Sequence, residues 1–317
     1  MPKSLRVGII GVGHFGYFHA QKSHAHPLEQ LVGVFDLDRH KAFSVAKDFD
    51  VSFFSQQSDL LESVDAVIIA TPATTHFTLA KQALERGKHV FLEKPLSVSR
   101  EEGEALISLS KKIGKVLQVG HLVTFSLPPQ KILNFIPKPI KMQMRRSVPF
   151  LNRGSDVSVI LDLMIHDLEF LFSLMGEKGV LLEACGRKYQ THYLDEVRAS
   201  FLFKKTCRVD LFASRAASKP ERFFLIEGEK GALKVDFVAH ELLFFEKDHL
   251  VKQISWQKKD LLWEEHDAFT QSCLFGKENV SSLESAYQAL CMANLLEKEI
   301  IEQIQNAPDS FSLLKTK

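Results

Sequence analysis

Asp162 and His166 stand four residues apart in the stretch Ser155 to Met175, SDVSVILDLMIHDLEFLFSLM, and bring together the two groups from which an acid/base pair can be made. A carboxylate one helical turn from an imidazole can orient the ring and raise its basicity, which prepares a histidine to take a proton near neutral pH. At helical pitch Ser155, Ser158, Asp162, His166, Glu169 and Ser173 form one narrow polar line. Val159, Ile160, Leu163, Met164, Leu168, Leu171 and Phe172 cover much of the rest. Polar helix faces usually meet bulk water, but such faces favour long Lys and Glu side chains. Short hydroxyls with a carboxylate and an imidazole fit the wall of a cleft better.

A second chemical signal lies near the start of the chain. Gly11-Val12-Gly13-His14-Phe15-Gly16 follows the apolar strand predicted over Leu5 to Ile10 and opens a predicted helix, the context in which this glycine spacing binds a dinucleotide. The first glycine permits a tight turn, the second lets a pyrophosphate approach the backbone, and the third allows helix to pack closely on sheet. Free amides at the helix start can then hold the phosphates. Asp36 ends the next predicted strand twenty residues after Gly16, where a carboxylate accepts hydrogen bonds from the adenosine ribose. Its charge repels a 2'-phosphate, so NAD is expected rather than NADP. Arg39 could cover the adenine face or meet a phosphate.

These residues need a scaffold, and the periodicities supply one. Strands at Leu5 to Ile10, Leu31 to Asp36, Asp65 to Ala70, His89 to Leu92 and Val116 to Val119 alternate with helices at Phe15 to His24, Arg39 to Phe49, Phe77 to Arg86 and Arg100 to Ile113. Residues 1–121 therefore read as an α/β Rossmann domain with a parallel sheet. Pro128, Pro129, Pro137 and Pro139 punctuate a transition. Beyond Gly176, strands follow one another at Glu196 to Phe203, Cys207 to Ser214, Phe223 to Gly228, Ala232 to Phe237 and Leu242 to Glu246, with a hairpin turn at Glu229-Lys230-Gly231. Helices follow near Glu264 to Phe275 and Leu283 to Gln303. Residues 122–317 are expected to form an α+β domain with a large, mostly antiparallel open sheet.

With 45% hydrophobic and 25% charged residues, the 317-residue chain has ordinary globular composition, and its net charge of +1 gives no electrostatic case for a nucleic-acid partner. No apolar run reaches membrane-spanning length. Met1 to Arg6 is too short for a signal peptide, and Cys185, Cys207, Cys273 and Cys291 lack pairing motifs, so reduced core thiols in a cytoplasmic protein are expected. His19, His24 and His26 lack metal-ligand spacing, and no metal is expected.

Three further segments carry a family resemblance. Thr71-Pro72-Ala73-Thr74-Thr75-His76 and Glu93-Lys94-Pro95 each follow a predicted strand, and the Asp162, His166 pair lies in the second half. In this order, with the glycine loop and Asp36, the chain resembles the Gfo/Idh/MocA family of NAD(P)-dependent sugar and polyol oxidoreductases over nearly its full length. The resemblance implies that Lys94 reaches the nicotinamide and the reacting hydroxyl, with Lys94-Pro95 a candidate cis bond. It implies that His166 is the acid/base and Asp162 its partner, and that Thr71, Pro72 and His76 pass under the nicotinamide ribose beside Glu93. It also implies a subunit interface through the C-terminal sheet, hence a homodimer or homotetramer.

Leu117-Gln118-Val119-Gly120-His121, the segment Pro149 to Asp167 and Ala213-Ser214-Arg215 are similar to the branch that oxidises the 3-hydroxyl of UDP-N-acetylglucosamine, whose keto product feeds an aminotransferase on the way to the 2,3-diamino sugars of lipid A. That similarity makes His121 a substrate residue. Arg145, Arg146 and Arg153 are candidates for the diphosphate, since guanidinium forks match phosphate oxygens. Arg145 and Arg146 alternate faces on a strand, so one of them points inward, and a structural salt bridge fits either as well. The chain departs from the branch at Leu122-Val123-Thr124-Phe125, where a more polar stretch is common. Another sugar or polyol such as inositol or glucose is the alternative substrate, and a non-catalytic dinucleotide sensor is the alternative of another class.

Overall fold

The apolar run Leu5–Ile10 forms the first strand, β1, and its neighbours build a parallel sheet around it. The computed structural model describes residues 4–151, 155–257, 259–277 and 282–306. The chain divides into two compact units, one made of residues 1–134, 169–174 and 256–290, the other of 135–168, 175–255 and 291–317. The last strand of the parallel sheet ends at Gly120, and the first unit runs on to 134 and draws on later segments.

In the first unit the order along the chain is β1, α1 (His14–Ala25), β2 (Glu29–Phe35), α2 (Arg39–Asp48), β3 (Ser52–Phe53), α3 (Gln57–Ser63), β4 (Ala66–Ile69), α4 (His76–Glu85), β5 (His89–Glu93), α5 (Arg100–Ile113) and β6 (Leu117–Gly120). The sheet order β3-β2-β1-β4-β5-β6 reverses direction beside β1, and a ligand crevice forms at the strand ends of such a switch point. β4 and most of β1 and β5 are buried on both faces, which is why they read as unbroken apolar runs. β3 and α3 are too short to show periodicity. Asp38 caps α2 by accepting from the amides of His40 and Lys41, and Gly114 closes α5 in the left-handed region at φ 69°. The helices α6 (Leu122–Ser126) and α7 (Pro129–Phe135) occupy the proline-punctuated transition, with Pro129 opening α7 where its missing N–H costs nothing. Phe269 of α9 (Leu261–Phe275) is fully buried in one core with Val7, Ile9, Val34 and Phe91.

The second unit is organised on an eight-stranded sheet. Its strands are β7 (Pro139–Ser147), β8 (Val180–Arg187), β9 (Glu196–Phe203), β10 (Cys207–Ser214), β11 (Glu221–Gly228), β12 (Gly231–Asp236), β13 (Glu241–Glu246) and β14 (His249–Ser255). They lie in the order β14-β13-β12-β11-β7-β10-β9-β8; β7 and β10 run parallel and the other neighbours antiparallel. Met142, Met144, Val209, Leu211, Phe224, Ile226, Leu233 and Val235 alternate onto one buried face. The edge strands β8 and β14 escape a reading by alternation because both are largely exposed. The last helix, α10, runs over Leu283–Asn306.

The segment from Ser155 is not one regular helix. Ile160–Met164 forms a π-helical turn and α8 continues over Ile165–Met175, so the polar line drawn at helical pitch is broken at Asp162. Single π-turns inside helices recur at functional sites, where they re-aim a side chain. Cys185 is exposed, against the expectation of four core thiols, while burial pushes the Cys207 thiol up to about 11. Among the described residues no helix is long and apolar enough to cross a membrane.

Candidate active site

The glycine loop leaves space where a ligand needs it and none where the fold must close. Gly11 has φ 85°, and a Cβ there would lie 2.8 Å from the Ala70 carbonyl oxygen. A Cβ on Gly16 would lie 1.8 Å from the Gly11 oxygen, so only glycine lets α1 approach the loop. A Cβ on Gly13 would meet nothing within 4 Å, and Gly13 caps α1 with no side chain in the way. The Asp36 carboxylate accepts from the Val12 amide at 2.8 Å through one oxygen and from the Asp38 amide at 2.8 Å through the other. Together these features fit a dinucleotide, with open backbone for a pyrophosphate and a fixed carboxylate for a ribose. His14 and Phe15 are exposed at the start of α1, and Arg39 is exposed at the start of α2.

The loops after β4 and β5 are joined by a histidine. His76 is 1% exposed; its Nδ1 lies 2.7 Å from the Pro95 carbonyl oxygen and its Nε2 3.0 Å from that of Thr71. This residue is therefore a brace between the Thr71-Pro72 segment and the Lys94-Pro95 bond, which is cis. Thr71 Oγ1 and Thr75 Oγ1 lie 2.7 Å apart, and the Thr75 hydroxyl donates to the Pro72 carbonyl. Glu93 meets His19 Nε2 at 2.9 Å. Burial alone would raise the Glu93 carboxyl, but the His19 hydrogen bond and charge, with Lys94 and His76, hold it below the usual carboxylate range. His121 is buried directly after β6. Glu169 and Ser173 of the polar line are tied at 3.0 Å, and Ser285 donates to Glu169 at 2.7 Å, so this end of the line is internal structure rather than a cleft wall.

In the second unit Asp162 lies within the π-turn and His166 one residue into α8, both half-buried. Behind them Arg146 makes a two-pronged contact with Asp167, Nε to Oδ2 at 3.1 Å and Nη2 to Oδ1 at 2.6 Å, in buried surroundings. Asp167 adjoins His166, so this pair anchors the first turn of α8. Arg222 is the cross-strand neighbour of Arg146, and burial followed by the Arg146 charge lowers its guanidinium to about 9. Arg145 points to the opposite face of the strand, where it pairs with Glu221 and lies 4.1 Å over the Phe212 ring. The structure does not bring Arg145 to the side of the sheet that carries Asp162 and His166. Arg153 lies outside the described residues. Among those residues no group of three or more His, Cys, Asp or Glu is arranged to hold a metal ion. The Arg146 to Asp167 pair and the His19 contact were not legible in sequence, because their partners are remote and no local spacing marks them.

Residues 5–121 match a family model described as the GFO_IDH_MocA oxidoreductase family with an NAD-binding Rossmann fold. A UDP-N-acetylglucosamine 3-dehydrogenase of Acidithiobacillus ferrooxidans is 36% identical over 244 residues, 77% of each chain. A scyllo-inositol 2-dehydrogenase (NAD(+)) of Bacillus subtilis is 29% identical over 62% of this chain and 61% of its own. The solved structure of the Acidithiobacillus ferrooxidans enzyme GnnA superposes with a TM-score of 0.86 at 32% identity, covering 94% of this chain and 98% of the other. The glycine loop, the fixed Asp36 and this likeness over both units agree: the chain belongs to the Gfo/Idh/MocA family and is an NAD(P)-dependent oxidoreductase acting on CH-OH groups.

Proposed function

We propose that this protein oxidises the 3-hydroxyl of UDP-N-acetylglucosamine to a ketone with NAD. The observation that carries the reading is the 36% identity to an enzyme named for that reaction. NAD rather than NADP is supported by Asp36, whose charge is fixed at the end of β2 by two amides and followed by a second carboxylate at Asp38. When bound, nicotinamide supplies a hydride acceptor. His166 takes the hydroxyl proton, and Asp162 stabilises the imidazolium that results. The Lys94 ammonium stabilises negative charge as it develops on the same oxygen. Arg146 holds Asp167 and through it the turn that carries His166. The ketone is set up for an aminotransferase, and the protein works in the cytoplasm as a homo-oligomer assembled through its second sheet.

The inositol reading is favoured by the 29% identical scyllo-inositol enzyme, and one assay decides between them. The full-length protein is incubated with NAD and, separately, with UDP-N-acetylglucosamine, myo- and scyllo-inositol, and glucose, each with hydroxylamine to trap ketone. Reduced nicotinamide should accumulate with the nucleotide sugar. Accumulation with inositol alone would replace the substrate assignment, and none with any polyol would remove it.

A further inference from the structure

Behind the loop that carries Lys94, four side chains from distant parts of the chain, three of them fully buried and Glu93 largely so, form an unbroken line. Glu93 Oε1 lies 2.9 Å from His19 Nε2, His19 Nδ1 lies 3.0 Å from His266 Nε2, and His266 Nδ1 lies 3.1 Å from Glu29 Oε2. Thr270 donates to Glu29 at 2.7 Å and closes the far end. The side chains of His19, His266 and Glu29 have no solvent exposure.

Each of the three gaps needs one proton, and two neutral imidazoles carry only two. The line is complete only with one more, which leaves two carboxylates, two rings and a net charge of −1. We propose that Glu93, His19, His266 and Glu29 share three protons in one buried relay whose extra proton rests on His19, and that this relay keeps Glu93 ionised as the positioning carboxylate of the Lys94 loop. Geometry places the extra proton at this end: His19 meets Glu93 at 2.9 Å, within the range of a charge-assisted hydrogen bond, whereas His266 meets the two Glu29 oxygens at 3.2 and 3.1 Å. Burial presses the His266 ring below the ordinary histidine range, against the pull of Glu29, which agrees with a neutral His266. Glu265, also buried, is pushed well above the carboxylate range by burial and then by the charges of Glu93 and Glu169, whereas His19 holds Glu93 below it against burial.

The charged and titratable groups around the line are consistent with this assignment. Lys94 and His76 act on Glu93, His26 acts on His266, and Asp260 and Cys273 sense His266 and Glu29 respectively. Glu93 precedes Lys94 in the chain, so fixing its carboxylate fixes the loop from which Lys94 projects. His19, His266 and Glu29 thus act through Glu93 as positioning residues. The kinetic consequence rests on the role given to Lys94 above, whereas the proton count does not.

The test is nitrogen-15 NMR of the histidine side chains in the full-length protein at neutral pH, with His19→Gln assigning the ring. The relay predicts one doubly protonated ring at His19 and one singly protonated ring at His266. In Glu93→Gln the amide can donate to His19 Nε2, so the extra proton should be lost and both rings should become neutral. Two neutral rings in the unsubstituted protein, or an extra proton that persists in Glu93→Gln, would overturn the proposal. In kinetics, His19→Gln should lower kcat by about tenfold or more, as loss of a supporting partner behind a catalytic side chain does, and alter the pH-rate profile while the NAD dissociation constant stays unchanged. An unaltered profile and kcat would overturn the positioning role alone, the proton count being decided by the NMR spectra. If His19→Gln does not fold, the unsubstituted protein and Glu93→Gln still decide the proton count.

Discussion

The Asp36 carboxylate, at the end of the second strand, accepts from the Val12 amide of the glycine loop at 2.8 Å, so the side chain proposed to meet a ribose also braces that loop. Asp36→Ala removes a charged acceptor worth about 1.5–3 kcal/mol, and NAD affinity should fall on the order of 10- to 100-fold. Discrimination against NADP should shrink in the same variant. Titration of both cofactors by calorimetry checks this; unchanged NAD binding would release Asp36 from the cofactor site.

The glycines of the loop separate folding from binding. Gly13→Ala adds a methyl group into open space, so thermal stability should change by no more than about 0.5 kcal/mol while NAD binding weakens. Gly16→Ala drives its methyl into the Gly11 carbonyl at 1.8 Å and should destabilise the domain by about 1–3 kcal/mol even without cofactor. Melting curves with and without NAD compare the two.

Asp195 should make the second unit sensitive to acid. It accepts from the amides of Tyr189, Gln190 and Thr191 and from Arg215, which also donates to the Val157 carbonyl just before the π-turn. Burial works against the charge, but the amides of Gln190, Tyr189 and Thr191 and the Thr191 hydroxyl hold the carboxyl well below its usual range. A carboxyl depressed in the folded state contributes stability that is complete above its unfolded value of about 4 and is lost as pH falls toward the folded value. Asp195→Asn should cost about 3 kcal/mol near neutrality and flatten that acid-side decline, as urea melts across the pH range would record. A decline of equal slope in the variant would assign it to other carboxyls.

Much of this architecture is legible in the residues. Double-sided apolar runs gave β1, β4 and β5, and the glycine spacing with Asp36 placed the dinucleotide loop. The break at Ile160–Met164 was not legible, because a π-turn adds a residue without any marker in composition, and an apolar run accommodates either pitch. Strand alternation put Arg145 and Arg146 on opposite faces but could not say which faced α8; Asp167 decides it. The relay through His19 and His266 joins positions 247 residues apart, beyond the reach of any local pattern.

The proposed mechanism assigns Lys94 and His166 to a single chemical step, which makes their contributions interdependent. Lys94→Ala and His166→Ala should each lower kcat by about 10²- to 10⁴-fold with NAD affinity retained, and the double variant should lose far less than the product of the two. Losses that multiply would assign the residues to separate steps.

The most direct test of the central claim uses UDP-N-acetylglucosamine carrying deuterium at sugar C3 and mass spectrometry of the reduced cofactor. Deuterium in the nicotinamide ring, with a ketone at C3 of the trapped sugar, is the predicted result. Reduced cofactor free of deuterium, or a ketone at another carbon, would contradict it.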